Sequence, residues 1–249
     1  MSRLSYDQYG LRAKLFTDPF MATMRLPKDR HKVPFTLDDI TQKLQLEYAD
    51  RLLDIGCGIG DLTIPLSFRV SDVLGIDHPD CVERLKRRLP EDRIRVLAGD
   101  WLTIELKEAF SKILVYDAIH YLATVEEVER FIFKAAALLE VHGRMLVGDI
   151  PSANLRSRFD ETQSGRSYNR NWNQQMIETN KSIQINRNPT EEELEQIRTR
   201  DLDTVKLDDA ALIGLMTKLR AAGYQAWLIP QPSELPFQVQ REDLLITRP

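Results

Sequence analysis

The sequence predicts an α/β fold, a mostly parallel sheet covered by helices on both faces and finished by an antiparallel pair of strands. Three observations carry that expectation. Over 51–66 (RLLDIGCGIGDLTIPL) a short apolar strand runs into a glycine-rich turn and then a helix. Strand-like and helix-like runs then alternate as far as residue 150, the rhythm of βαβ units with a sheet buried on both faces. Near the end, apolar runs at 224–230 and 243–247 are separated by a short connection, which an antiparallel pair can bridge and a parallel crossover cannot.

The elements follow in order. Residues 1–35 show no clear periodicity and form an N-terminal lid segment. The stretch 36–46 (TLDDITQKLQL) reads as a capped helix leading into the first strand. Residues 60–69 are helical. DVLGID (72–77) is a short strand with an acidic end, and PDCVERLKRRL (79–89) is an amphipathic helix with Pro near its first turn. Strands follow at 93–98 (RIRVLA) and 112–116 (KILVY). The helix at 124–139 starts with a capping box of Thr124 and Glu127 and is ended by His142-Gly143. A strand at 144–150 (RMLVGDI) follows. The rhythm then breaks. Residues 151–207 are polar, rich in Asn, Gln, Arg and Ser, with a helix only at 191–200. A segment this long without strands is the signature of a lid or binding loop. A helix at 208–222, stopped by Gly223, resumes the pattern. The chain therefore divides into 1–35 and a domain at 36–249 carrying an insertion at about 151–207.

Composition excludes several classes. A length of 249 residues with 43% hydrophobic and 29% charged residues fits a soluble globular protein. There is no apolar run of 18 residues, hence no membrane span, and residues 1–10 lack the apolar core of a signal peptide. Two cysteines make neither a disulfide framework nor a metal cluster, so a reducing cytoplasm is the expected home. The net charge of −4 is uneven. Residues 1–35 hold seven Lys/Arg against three Asp/Glu, and residues 152–190 hold six against three, leaving the rest strongly acidic. Two basic segments flanking a site favour an anionic substrate. The acidic pI of about 5.7 argues against general nucleic-acid binding.

The glycine turn carries the chemistry. Gly56, Gly58 and Gly60 let the backbone turn sharply and approach a ligand, and the following helix aims its free N–H groups at it. The dinucleotide pattern G-x-G-x-x-G/A would place its third small residue at position 61, which is Asp61. An acidic residue there repels a pyrophosphate, and no lysine is present for a P-loop. Asp54 before the glycines and Asp61 after them suit a ligand with positive charge and no phosphate, such as S-adenosyl-L-methionine. Cys57 completes the cofactor loop as a small packing residue.

With LLDIGCGIGDLT, GIDHPD, LAGDWL and YDAIHYL in that order, and the closing strand pair, the chain resembles a class I S-adenosylmethionine-dependent methyltransferase over about 36–150 and 208–249. The resemblance implies a Rossmann-like seven-stranded sheet, with the cofactor across the carboxyl ends of the first strands. It implies that Asp77 meets the ribose hydroxyls, His78 and Trp101 pack at the adenine, Asp100 accepts from the adenine amino group, and Tyr116 and Asp117 lie near the methionine end. Asp54 lies beneath the loop. Each of these acidic residues has a plainer alternative as a helix cap. If the acceptor is a hydroxyl, it needs a general base. His120 is the first candidate, with Tyr121 and Asp149 as neighbours and His31 as a weaker one. The motifs of adenine-amino and cytosine-C5 methylation are absent, and no catechol-type metal site is evident, which leaves a small-molecule acceptor. The stretch GDIPSANLRSRF is similar to methyltransferases found with bacterial surface-polysaccharide biosynthesis, implying a sugar or nucleotide-sugar acceptor. A cofactor-binding scaffold without an acceptor of its own and an NAD-dependent oxidoreductase are the competing readings. The sequence leaves a homo-oligomer open.

Overall fold

A computed structural model describes residues 4–23, 25–89, 93–181, 185–198 and 204–249. It contains α1 (Leu4–Leu15), α2 (Pro19–Ala22), α3 (Val33–Leu44), β1 (Arg51–Ile55), α4 (Thr63–Ser67), β2 (Asp72–Asp77), α5 (Pro79–Arg88), β3 (Arg95–Ala98), β4 (Phe110–Tyr116), α6 (Val125–Ala136) and β5 (Leu139–Pro151). After these come α7 (Ala153–Asp160), α8 (Gln163–Lys181), α9 (Glu191–Arg198), α10 (Asp209–Ala221), β6 (Gln225–Pro230) and β7 (Arg241–Thr247).

The seven strands form one sheet in the order β3-β2-β1-β4-β5-β7-β6. The first five are parallel to one another, and β7 is antiparallel to both β5 and β6. The expected closing pair is present, with β6 at the edge and β7 inside it. The strand runs are continuously apolar because both faces are covered. Leu53, Ile113, Val115 and Val147 pack under α6 and α10, while Leu52, Val73, Leu114 and Leu146 pack under α3, α4 and α5. The order reverses between β1 and β4, so the loops leaving their carboxyl ends diverge and open a crevice, where doubly wound sheets hold ligands.

Boundaries moved where packing overrode local signals. The helix expected at Thr36 begins at Val33, with Pro34 in its first turn and no side-chain cap. Thr124 caps the Glu127 amide, but the Glu127 carboxylate reaches the amide of Ala123, one residue earlier than a capping box requires. His142 and Gly143 do not stop a helix; they lie within β5.

The insertion is helical. In α8, Gly165 lies against the Phe159 carbonyl, where a Cβ would come within 1.9 Å, so the turn from α7 closes tightly. The helix expected at 191–200 is α9, whose last two expected residues lie outside the described set. The insertion and the front segment hold each other. The Asn186 amide donates to the Leu15 carbonyl at 2.7 Å, and Gln8 donates to the Gln196 carbonyl at 2.8 Å. The two basic segments of the sequence thus meet over the carboxyl edge of the sheet.

Candidate active site

Two chambers lie at that edge. The first spans about 1020 Å³ against the glycine turn, open solvent at its mouth included. Gly56, Gly58 and Gly60 all have positive φ (86°, 55° and 89°), which glycine adopts at no steric cost. Two aspartates brace the turn from behind. Asp77 accepts from the Gly58 amide at 2.6 Å and from the His78 amide at 2.5 Å. Asp54 accepts from the Thr63 hydroxyl at 2.6 Å, and burial pushes its carboxyl up to about 7. Cys57 is buried in the turn, and burial pushes its thiol well up, so it stays a packing residue. The far wall is Trp101, which is buried and donates its indole N–H to the Phe131 carbonyl at 3.1 Å. Ser5, Tyr6 and Tyr9 of α1 close the chamber from above.

Asp61, the acid after the third glycine that the sequence sets against a pyrophosphate, stands in the same site. It lines the first chamber, and Arg88 holds its Oδ1 at 2.6 Å. Its Oδ2 is buried with no partner, a costly state for an ionised oxygen. An ammonium group in the chamber would satisfy it, whereas a pyrophosphate would meet repulsion. The signal was present in the sequence as an acid directly after the third glycine. The chamber's makeup, with mostly apolar walls, a glycine cradle and carboxylates at the turn, fits a nucleoside bearing positive charge and disfavours a dinucleotide.

The second chamber, of about 1180 Å³, adjoins the first. Arg25, Tyr116, Asp117 and Tyr121 line both and form the window between them. Its floor includes Asp149, at the end of β5, with Arg241 beside it at 3.8 Å. Asp117 and Asp149 both have left-handed φ, 57° and 59°, at equivalent ends of neighbouring strands. Burial raises both carboxyl pKa values, against the pull of Arg25 and Arg241. Burial also pulls the two guanidinium groups down, but the carboxylates outweigh it there and both stay charged. Asp149 is set from behind. Its amide donates to Asp243 at 2.8 Å, and Asp243 is fully buried on Lys43 at 2.6 Å, with Gln231 donating at 3.0 Å.

Some expected site residues stand elsewhere. His120 lines neither chamber. Its ring packs against Tyr121 at 4.1 Å, and burial drives its pKa down to about 3, so it is neutral at physiological pH. Its Nδ1 has no partner. Tyr121 stands in the window instead, its phenol pKa pushed up by burial. His78 does not reach the first chamber either; it caps α5 through the Asp80 amide and packs its ring against Tyr6 at 4.7 Å. Asp100 accepts from the Leu102 amide at 3.0 Å, the capping alternative, and Trp101 and Gly99 take the wall positions beside it. Gly60 sits one layer back, packed on Ile64 and Leu85. His31 contacts the Lys28 carbonyl on the surface. Among the described residues no group of His, Cys, Asp and Glu could hold a metal ion, and no helix is long and apolar enough to cross a membrane.

Residues 52–143 match the family model of the methyltransferase domain. The chain is 34% identical over 86 residues to a probable ribosomal RNA small subunit methyltransferase A of Methanothermobacter thermautotrophicus, covering 32% of this chain and 31% of that protein. It is 27% identical over 138 residues to an uncharacterised methyltransferase of Alkaliphilus oremlandii, covering 54% of this chain and 62% of that one. The chain thus spans less than two thirds of the length of these relatives. Its fold is similar to that of magnesium protoporphyrin IX methyltransferase from Synechocystis, solved with bound SAH (S-adenosylhomocysteine), with a TM-score of 0.57 at 14% identity over 98% of this chain and 94% of that one. The fold is that of the Rossmann-like methyltransferases, and residues 52–143 are similar to a methyltransferase domain.

Proposed function

We propose that this protein transfers the methyl group of S-adenosylmethionine to a small polar, anionic acceptor, with a sugar or nucleotide sugar as the leading kind. One observation carries the reading: a chamber suited to a cationic nucleoside opens, through a window of four residues, onto a second chamber lined by Arg25, Lys32, Arg156 and Arg241. The front segment and the helical insertion serve as the lid over both.

Bound in the first chamber, the cofactor supplies an electrophilic methyl group already activated by its sulfonium. The turn at 56–60 and the carboxylates of Asp61 and Asp77 hold it, and Trp101 walls the nucleoside end. Much of the acceleration then comes from holding the acceptor in line with that methyl group at the window. Arg25 spans both chambers and stays charged, so it can orient an anion on either side. Asp149, in the second chamber, is the residue placed to take a proton from an acceptor hydroxyl, since burial has raised its basicity. His120 supports Tyr121 from behind.

Isothermal titration with S-adenosylmethionine and S-adenosylhomocysteine tests the reading first. Micromolar binding is expected; absence of binding of both at millimolar concentration rejects it. A labelled-methyl screen against small-molecule extracts then finds the acceptor. With an acceptor in hand, Asp149→Asn, which tolerates the left-handed backbone, should lower turnover by roughly 10²–10⁴-fold while leaving cofactor affinity unchanged. Normal turnover would remove Asp149 as the base.

A further inference from the structure

The second chamber is unusual in what it pairs. Its outer wall is aromatic. Trp172 lies edge-on to Phe237 at 4.7 Å, and Tyr168 lies nearly parallel to Trp172. Phe237 is held there by a left-handed backbone, φ 60°, a conformation that costs a bulky residue energy and is kept only when its surroundings impose it. None of the three rings is fully buried, so their faces are not consumed by the core.

The carboxylate contacts of the chamber's cations are long, and Arg241 donates besides to the Asp149 carbonyl at 3.2 Å. Arg25 stands 3.7 Å from Asp117, Lys32 3.9 Å from Asp29, Arg156 3.6 Å from Asp160 and Arg241 3.8 Å from Asp149. Some ion pairs elsewhere are tighter, such as Arg88 to Asp61 at 2.6 Å and Arg95 to Asp72 at 2.7 Å, while others, such as Lys112 to Asp50 at 3.7 Å, are as long. At 3.6–3.9 Å a guanidinium keeps donors in hand for a third party. Arg241 also lies over the Phe237 ring at 5.5 Å and Lys28 over the Trp172 ring at 5.8 Å, so cations and aromatic rings meet at this wall.

Resting on the methyltransferase reading, we propose that the acceptor is a planar aromatic molecule that itself carries an anionic group. The ring lies on Trp172 and Phe237, and the anion is held by Arg241 and Arg156. Neither half suffices alone. A neutral sugar brings no charge to the chamber's cations, and a sugar phosphate brings no flat ring to its aromatic wall. A nucleoside diphosphate and an aromatic carboxylate share the required chemistry.

The test is isothermal titration of the protein saturated with S-adenosylhomocysteine. Uridine diphosphate and benzoate represent the two sources of ring plus anion. Uridine, glucose 1-phosphate and methyl glucoside are the controls. At least one ring-plus-anion probe should bind about tenfold or more tighter than every control, as expected for adding a charge-assisted contact to a ring contact, and the better of the two identifies the source. Its binding should weaken with added salt. Trp172→Leu and, separately, Phe237→Leu should weaken that probe about fivefold or more and leave glucose 1-phosphate unchanged, with unaltered circular dichroism. The proposal is overturned if a control binds as tightly, if no probe binds while S-adenosylhomocysteine does, or if both ring variants bind the probe normally. Failure of S-adenosylhomocysteine itself to bind would instead reject the underlying methyltransferase reading.

Discussion

Asp61 shows how one carboxylate discriminates between nucleotide-like guests. One oxygen is spoken for by Arg88, and the other is buried in the cofactor chamber without a partner. Asp61→Asn should weaken S-adenosylhomocysteine binding by roughly 1–3 kcal/mol, the usual worth of a hydrogen bond to a charged group; unchanged affinity by titration calorimetry would remove it from the site. Two other buried groups tilt stability against pH in opposite senses. Asp54 has a folded pKa of about 7, above the ordinary carboxyl value, so the folded form holds its proton longer and this group's contribution falls as pH rises from about 4 to about 7. His120 has a folded pKa of about 3, below the ordinary imidazole value. The unfolded chain takes up the proton first, and stability falls as pH drops from about 6.5 towards 3. Urea unfolding of the ligand-free protein should show Asp54→Asn removing loss on the alkaline side and His120→Asn removing loss on the acid side. Parallel pH profiles for wild type and variant would refute either assignment.

At the scale of elements, the front helix α1 owes its place to a single missing side chain. A Cβ on Gly10 would lie 2.1 Å from the His78 ring, and Arg84 ties the end of the helix by donating to the carbonyls of Ala13 at 2.8 Å and Phe16 at 2.6 Å. Gly10→Ala should therefore lift α1 off α5, and faster hydrogen exchange in 4–15 together with weaker cofactor binding would register it. Exchange identical to wild type would mean that His78 can move aside. This helix was invisible in the sequence for a physical reason. It is buried nearly all round, with Gln8 and Arg12 among its covered residues, so it has no single apolar stripe to read. The same holds in reverse for α8, which is polar on most of its surface. The strands were legible because burial on both faces leaves them continuously apolar, α6 through its cap Thr124 and α10 through the stop at Gly223.

For the whole molecule, the turn side of the first chamber follows from spacing along the chain, because the glycine turn and the strand ends beside it lie within one run of βαβ units, whereas its cover of Ser5, Tyr6 and Tyr9 does not. Nor does the acceptor end. As proposed, it draws on Arg25, Trp172 and the neighbouring Phe237 and Arg241, which lie in three separate stretches and meet because the front segment and the insertion fold over the same edge. His120 stands beside the window, its Nε2 3.4 Å from Asp117, yet it lines neither chamber, while the adjacent Tyr121 lines both.

The position of β7 has a consequence for how this protein is made. It lies between β5 and β6, yet it leaves the ribosome after both. Until it inserts, the exposed flank of β5 has no partner, Asp149 lacks the Asp243 carboxylate that receives its amide, and Arg241 is missing from the chamber floor. The glycine turn is synthesised well before β7, so a nascent chain carries the turn while the floor of the second chamber is still absent. A chain cut after Gln240 should accordingly be prone to associate through that unpaired strand; a monomeric, fully folded truncation in light scattering and hydrogen exchange would overturn this sequence of events. In the intact protein, the ability to hold a cofactor would then precede the ability to spend it.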